Sequence, residues 1–176
     1  MKNMLKTSFV LLVICIISGG LLGLVYKKTQ PKIDQQTEIK KLDALKEVMP
    51  DATKFEEAII DKKWSAYKDT TQIGWALKTV AFGYGGPIQI VFGVDKNKKI
   101  TRIKIIEQNE TPGLGAKITE KKFISQFETR SEKEIVLKKD NSENGKIDAI
   151  TAATISSRAV TNTINQAMKL IDAEQK

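Results

Sequence analysis

The stretch KIDAITAATISSRAV, residues 146–160, sets two threonines three apart among small residues, with an acid before them and an apolar-periodic run after them. That run predicts a helix from about 154 to 173, with Ile155, Ala159, Ile164, Met168 and Ile171 on its apolar side. Thr154 then falls in the first helical turn. The first N–H groups of a helix have no intrahelical acceptor, and the macrodipole leaves partial positive charge there. A phosphate suits such a place, and Ala152 and Ala153 leave room for one. A phosphate ester on the Thr154 hydroxyl would sit in that favourable field. The competing reading is structural, with Asp148 or Thr151 capping the helix through its side chain.

A second stretch, NETPGLGAKI at 109–118, places Gly113 and Gly115 either side of a leucine after a proline. Glycines there allow positive φ and let the backbone approach a flat or anionic ligand closely. The plain alternative is a Pro-Gly turn leading into a helix. A third stretch, GYGGP at 83–87, is a loop with the same two meanings.

What is missing narrows the chemistry. The chain has no histidine, which removes the commonest general base and metal ligand and every Ser–His or Cys–His nucleophile pair. Its one cysteine, Cys15, lies inside an apolar run, so no intrachain disulfide and no cysteine-ligated zinc or iron–sulfur centre can form. A redox centre in this chain must therefore be an organic cofactor. The net charge is +8, but the lysines are interspersed with acids and not with aromatics. That pattern reads as a solvated basic surface and predicts no nucleic-acid partner.

These stretches need elements to hold them. Residues 8–26, SFVLLVICIISGGLLGLVY, carry no charge and as a helix would be roughly 28 Å long, about a bilayer core. The run is too long for a cleaved signal and no small-x-small site follows it. Cys15 follows Ile14, which argues against lipoprotein processing. It is read as one membrane-spanning helix after a cytoplasmic stub at 1–7. Lysines flank it on both sides, so the charge rule leaves orientation open; the common arrangement puts the bulk of the chain outside the cytoplasm. Residues 27–50 read as a connecting amphipathic helix, with Ile39, Leu42, Leu45, Val48 and Met49 at helical spacing until Pro50. Residues 51–176 form the remaining domain. From about 57 to 107, EEAIID, WSAYKD, IGWALKTVAF, IQIVFGVD and ITRIKIIEQ read as strands with short, antiparallel connections. A helix is predicted at 117–128 with Ile118, Phe123 and Phe127 buried, then a strand at 134–137 and an exposed loop, KKDNSENGK. The fold class is α+β: an antiparallel sheet with flanking helices, preceded by one N-terminal transmembrane helix.

Taken together in this order, the three stretches resemble the signatures of the FMN-binding domain family. DAITAAT is similar to its attachment motif, an Asp followed by Ser/Thr-Gly-Ala-Thr, and ETPGLGAKI with FISQF and GYGGPIQIVFGVD resemble two more. Within that family the chain resembles, along essentially its whole length, the G subunits of Rnf electron-transport complexes and the related C subunits of sodium-pumping NADH:quinone reductases. The resemblance implies covalent FMN, joined by a phosphoester to Thr154, installed by a flavin transferase. It implies that Thr151 and the backbone of Ala153, Ile155 and Ser156 hold the phosphate. Thr111, Gly113, Leu114 and Gly115 would line the ring, with Lys117 able to neutralise an anionic flavin. The motif's usual glycine is Ala152 here, and a helix-start alanine is expected to cost little. Glu110 is expected to order its own loop, and Trp64 and Trp75 to pack in the core, while Tyr84 could stack on a flavin.

The resemblance further implies a single-pass protein of the cytoplasmic membrane with its FMN domain outside. There it would relay electrons between other Rnf subunits, in a complex that couples ferredoxin:NAD oxidoreduction to Na⁺ or H⁺ translocation. It would be an electron-transfer subunit, not an independent catalyst. Two alternatives stay open: a stand-alone extracytoplasmic FMN carrier feeding another reductase, and a non-redox binding domain that has lost its flavin.

Overall fold

In a computed structural model, residues 2–59, 61–141 and 143–174 are described; Met1, Ile60, Ser142, Gln175 and Lys176 lie outside them. The chain divides into two units, residues up to Lys40 and residues from Lys41 onward. Helix α1, Lys2–Val48, contributes to both.

In the first unit α1 carries the uncharged run. Its apolar side chains are exposed, Phe9, Leu12, Ile16 and Leu22 among them, and its most apolar window reaches a mean hydropathy of 2.6. The helix is long and apolar enough to cross a membrane. It continues through Pro31, whose ring offers no N–H to the carbonyl one turn before it.

The second unit is a five-stranded antiparallel meander in the order β1 (Lys54–Ile59), β2 (Lys63–Lys68), β3 (Thr71–Phe82), β4 (Pro87–Asp95) and β5 (Ile100–Glu107). The strand runs read from the sequence fall on these five, except that Asp61, Asp69 and Gln108 lie past the strand ends and Ile60 lies outside the described residues. Interior strand β4 is buried on both faces, because Ile88, Ile90, Phe92 and Val94 belong to one cluster and Val91 to another. The larger cluster lies under helix α3, Thr154–Glu174, and joins Val160, Ile164, Met168 and Ile171 to the sheet. Phe123 and Phe127 meet edge to face there, with centroids 5.4 Å apart.

Three local expectations are corrected. Residues 117–128 are not one helix: a 3₁₀ turn at Gly115–Thr119, the short helix α2 at Lys121–Ile124 and another turn at Ser125–Phe127 follow one another. Glu120 is extended, with φ −71° and ψ 142°, and breaks the run, yet Ile118, Phe123 and Phe127 are buried as read. Residues 134–137 are no sheet strand. Ser131 and Glu134 form a capping box over a turn at Glu132–Glu134, and Leu137 makes a lone parallel bridge to Ile147. Asn165 on α3 donates to the Glu132 and Ile135 carbonyls, which ties that turn down without a ladder. On α3, Ile155 points outward and Val160 takes the core position.

The other face of the sheet is covered by the last turns of α1. Leu45, Val48 and Met49 pack on Trp64, Ala66, Ala76 and Val91, whereas Leu42, at the same helical spacing, is exposed. The Thr101 hydroxyl donates to the Val48 carbonyl, one of the helix-end acceptors that lack an intrahelical partner. This helix end rests on Gly93, where a Cβ would collide with the Thr101 hydroxyl, the Val48 carbonyl and the Met49 sulfur. Gly93→Ala should therefore destabilise the second unit by about 1–3 kcal/mol, the usual cost of overpacking, measured by urea unfolding of the full chain in detergent.

Candidate functional site

Helix α3 starts from a tight turn. The Ala153 N–H donates to the Ile150 carbonyl at 3.0 Å, and the Ala153 carbonyl accepts the first helical bond, from Ser157, at 3.0 Å. Ala153 is thus the N-cap, and its side chain can cap nothing. Ser157, fully buried, takes over: its hydroxyl donates to the Ala153 carbonyl at 2.9 Å and accepts the Ile150 N–H at 3.0 Å. Asp148 does not cap the helix. Its carboxylate takes Lys138 at 2.7 Å, and its backbone is gripped on both sides by the Gln126 amide. The N–H groups of Thr154, Ile155 and Ser156 occupy the first turn, where a helix offers them no acceptor. Among the described residues, the Thr154 hydroxyl makes no hydrogen bond, and neither does that of Thr151.

Ala152 lies in this turn at φ +62°, in the left-handed region. The expectation that alanine costs little here is corrected, because a Cβ in that region costs roughly 1–2 kcal/mol. Within the first turns of the helix, Arg158 grips Asp140 through two bonds of 2.7 and 2.6 Å and so ties α3 to the 138–146 loop. That hydrogen bonding holds the Asp140 carboxyl below the usual carboxylate range.

Glu110 draws the three stretches together. It is 6% exposed. Its Oε1 accepts the Gly85 N–H at 3.1 Å, and its Oε2 accepts the Ser156 hydroxyl at 2.7 Å. Its own N–H donates to the Gln108 side chain at 2.6 Å. A Cβ on Gly83 or on Gly115 would strike its carboxylate, and one on Gly85 would strike the Asn109 carbonyl. Among the described residues no lysine or arginine forms an ion pair with it. Neutral donors alone therefore stabilise the buried carboxylate, and bonds to a charged group are worth about 1.5–3 kcal/mol each.

Beside this knot lies a cavity of about 490 Å³. Thr111, Leu114 and Gly115 line it from one loop, and Ala153, Thr154, Ile155 and Ser156 from the start of α3. Ala152, Glu110 and Tyr84 complete the wall. Leu114, Ile155 and Tyr84 are exposed, so the cavity joins apolar surface to the residues that start α3. Gly113 shapes the loop without lining the cavity: at φ +77° it lets the Thr111 carbonyl accept from both Leu114 and Ala116. Lys117 and Thr151 line a neighbouring cavity of about 430 Å³ with Asp148. Trp64 and Trp75 line neither. Trp64 is buried under α1, where the Lys41 ammonium stands 5.7 Å from its ring centroid.

The reach of Glu110 beyond its own loop was not read from the sequence. The signal was indirect: glycines at 83 and 115 both leave space for its carboxylate, and the acid stands between them in the chain.

Two substitutions test this account. Glu110→Ala should destabilise the domain by about 2–4 kcal/mol, because Gly85 and Ser156 would lose a charged acceptor. Ala152→Gly should raise stability by up to about 1 kcal/mol through relief of left-handed strain, partly offset by chain entropy. Both are read by denaturant unfolding of the full chain in detergent; an Ala152→Gly variant less stable than the parent would contradict the strain assignment.

Comparison with known proteins places the chain in a family. The FMN-binding domain matches residues 83–169, and the RnfG N-terminal region matches residues 1–48. The G subunit of the proton-translocating ferredoxin:NAD(+) oxidoreductase complex of Clostridium ljungdahlii is 33% identical, over 92% of this chain and 88% of that protein. The G subunit of the Na(+)-translocating ferredoxin:NAD(+) oxidoreductase complex of Acetobacterium woodii is 31% identical, over 96% of this chain and 90% of that protein. The C subunit of the Na(+)-translocating NADH-quinone reductase of Parabacteroides distasonis shares the fold at a TM-score of 0.51 and 24% identity, covering 60% of this chain and 58% of that one. The chain belongs to the FMN-binding domain family, among the G subunits of ion-translocating oxidoreductase complexes.

Proposed function

We propose that this chain is a membrane-anchored flavoprotein that carries FMN on Thr154 and relays electrons within an Rnf-type ferredoxin:NAD oxidoreductase complex. The observation that carries the reading is one cavity in which an unbonded threonine hydroxyl, a helix start and an apolar mouth meet. These residues fit FMN. The first-turn N–H groups of α3 suit its phosphate, Thr154 Oγ1 suits a phosphoester, and Leu114, Ile155 and Tyr84 offer apolar surface for a flat ring. Bound FMN supplies the redox chemistry; the protein supplies position and electrostatics.

Side chains around the cavity then have tasks. Ser157 and the 150–153 turn fix where Thr154 stands. Glu110 holds Ser156 and Gly85, and with them two walls of the cavity, in one geometry. Lys117 and Thr151 line the adjoining cavity and not this one, so they are left without a contact role in this reading. None of these roles requires an acid or base, in keeping with a chain that has no histidine.

In this reading residues 8–26 span the membrane, residues 27–50 connect, and residues 51–176 form the FMN domain on the extracytoplasmic side. A flavin transferase installs the cofactor there, and a tether prevents its loss where free FMN is not replenished. The partners are the other Rnf subunits, through which electrons cross the membrane. The relatives include one named for protons and one for sodium, so likeness does not select the coupling ion.

Intact mass of the full chain, co-expressed in a secreting host with a flavin transferase, tests the reading. The parent and Thr151→Ala should gain FMN less one water; Thr154→Ala should gain nothing. A gain that survives Thr154→Ala sinks the attachment site. A parent that never gains flavin sinks the function.

A further inference from the structure

Strand β3 outruns its neighbour. β2 pairs with it from Lys68↔Thr71 to Lys63↔Leu77, and the Lys78 N–H then reaches the Lys62 carbonyl at 2.8 Å. Beyond that point no described strand lies on this side of β3, although β4 stays paired on the other side as far as Phe82↔Pro87. Successive N–H groups of a strand point to opposite sides. Lys78 points its N–H toward β2, and Gly83 points its N–H toward the β4 hairpin, donating to the Gly86 carbonyl at 2.9 Å. The N–H and C=O of Val80 and Phe82 therefore face the open edge.

Their side chains are open as well, Val80 at 44% and Phe82 at 77% exposure. The next residue in this alternation is Tyr84, 76% exposed on the mouth of the proposed FMN cavity. A groove of about 610 Å³ lies where a continuation of β2 would run, between the β1–β2 hairpin and the end of α3. Ile59 and Leu170 give it apolar walls. Lys62, Lys63 and Lys78 line it against one acid, Asp61, which already binds Lys78 at 2.7 Å and Lys41 at 3.3 Å.

We propose that the β3 edge at residues 79–82 docks an extended segment of a partner subunit as an added strand. That segment is apolar at alternate positions and acidic where it meets Lys62. Added strands bind through main-chain hydrogen bonds and alternate side-chain pockets, and this edge offers both. Lipid would leave the Val80 and Phe82 backbone groups without partners. A second copy would bring the same lysine-rich groove against itself. Because the edge leads to Tyr84, the docked segment ends beside the cavity, where an electron partner must approach. The proposal rests on the multi-subunit reading given above.

The test uses the full chain, co-expressed in membranes with the other subunits of its complex. Phe82 is replaced by the photocrosslinking analogue p-benzoylphenylalanine, and the crosslinked peptides are mapped by mass spectrometry. The expected result is a crosslink to one co-subunit, in one segment that is apolar at alternate positions and bears acids. Val80→Pro removes the edge N–H at a place where proline is tolerated, and should cut that crosslink at least tenfold. Lys62→Glu, an exposed charge reversal, should cut it several-fold. Crosslinks to lipid, to a second copy, or to nothing overturn the proposal, as does a crosslink indifferent to both substitutions. In-gel flavin fluorescence of the same samples keeps the two readings apart. Flavin without the crosslink defeats only the docking surface, and the crosslink without flavin defeats only the cofactor assignment.

Discussion

Glu110 is buried, among the described residues no lysine or arginine pairs with it, and the geometry around the cavity follows from giving its carboxyl oxygens other partners. An ionised group away from water must be met by donors. The donors here are the Gly85 N–H and the Ser156 hydroxyl, from the loop after β3 and the first turn of α3. Glycine is required at 83 and 115 because the carboxylate fills the space their side chains would take. One acid thus holds three separate stretches at fixed distances, and the cavity is the space left between them. An arginine partner would have stabilised the charge too, but at the cost of volume beside the ligand.

The start of α3 follows a complementary logic. A helix capped by its own threonine or aspartate would occupy one of the first-turn donors. Here the cap residue is Ala153, and the buried Ser157 secures the turn from behind. No side chain caps the first-turn donors, and among the described residues the Thr154 hydroxyl makes no hydrogen bond. The strain at Ala152 is the local cost of turning the chain so sharply into the helix.

The sheet was legible in the sequence because each strand carries its own short alternation and its own turn, as at DKNKK between β4 and β5. The C-terminal helix was legible from periodicity. Reading failed where spacing and backbone part company. Ile118, Phe123 and Phe127 have helical spacing, yet the extended Glu120 divides them among three short turns. Ile135 and Leu137 alternate like a strand, but their carbonyls and amides are met by a turn, a lone bridge and Asn165. Ile155 counts as core by period, while the structure turns it to the cavity mouth. The motifs located the candidate cavity, but the knot within it was invisible to local patterns. A single glutamate has no period, and its partners lie 25 and 46 residues away.

Those separations bear on the order in which the molecule comes together. A meander of neighbouring hairpins makes short-range contacts that close early, whereas contacts across long stretches of chain must wait for loop closure. The five strands can pair hairpin by hairpin as the chain emerges. The Glu110–Ser156 bond can form only once α3, the last element, has docked. The cavity thus takes its shape only when α3 docks, so the surroundings of Thr154 belong to the finished fold and not to any local stretch of chain.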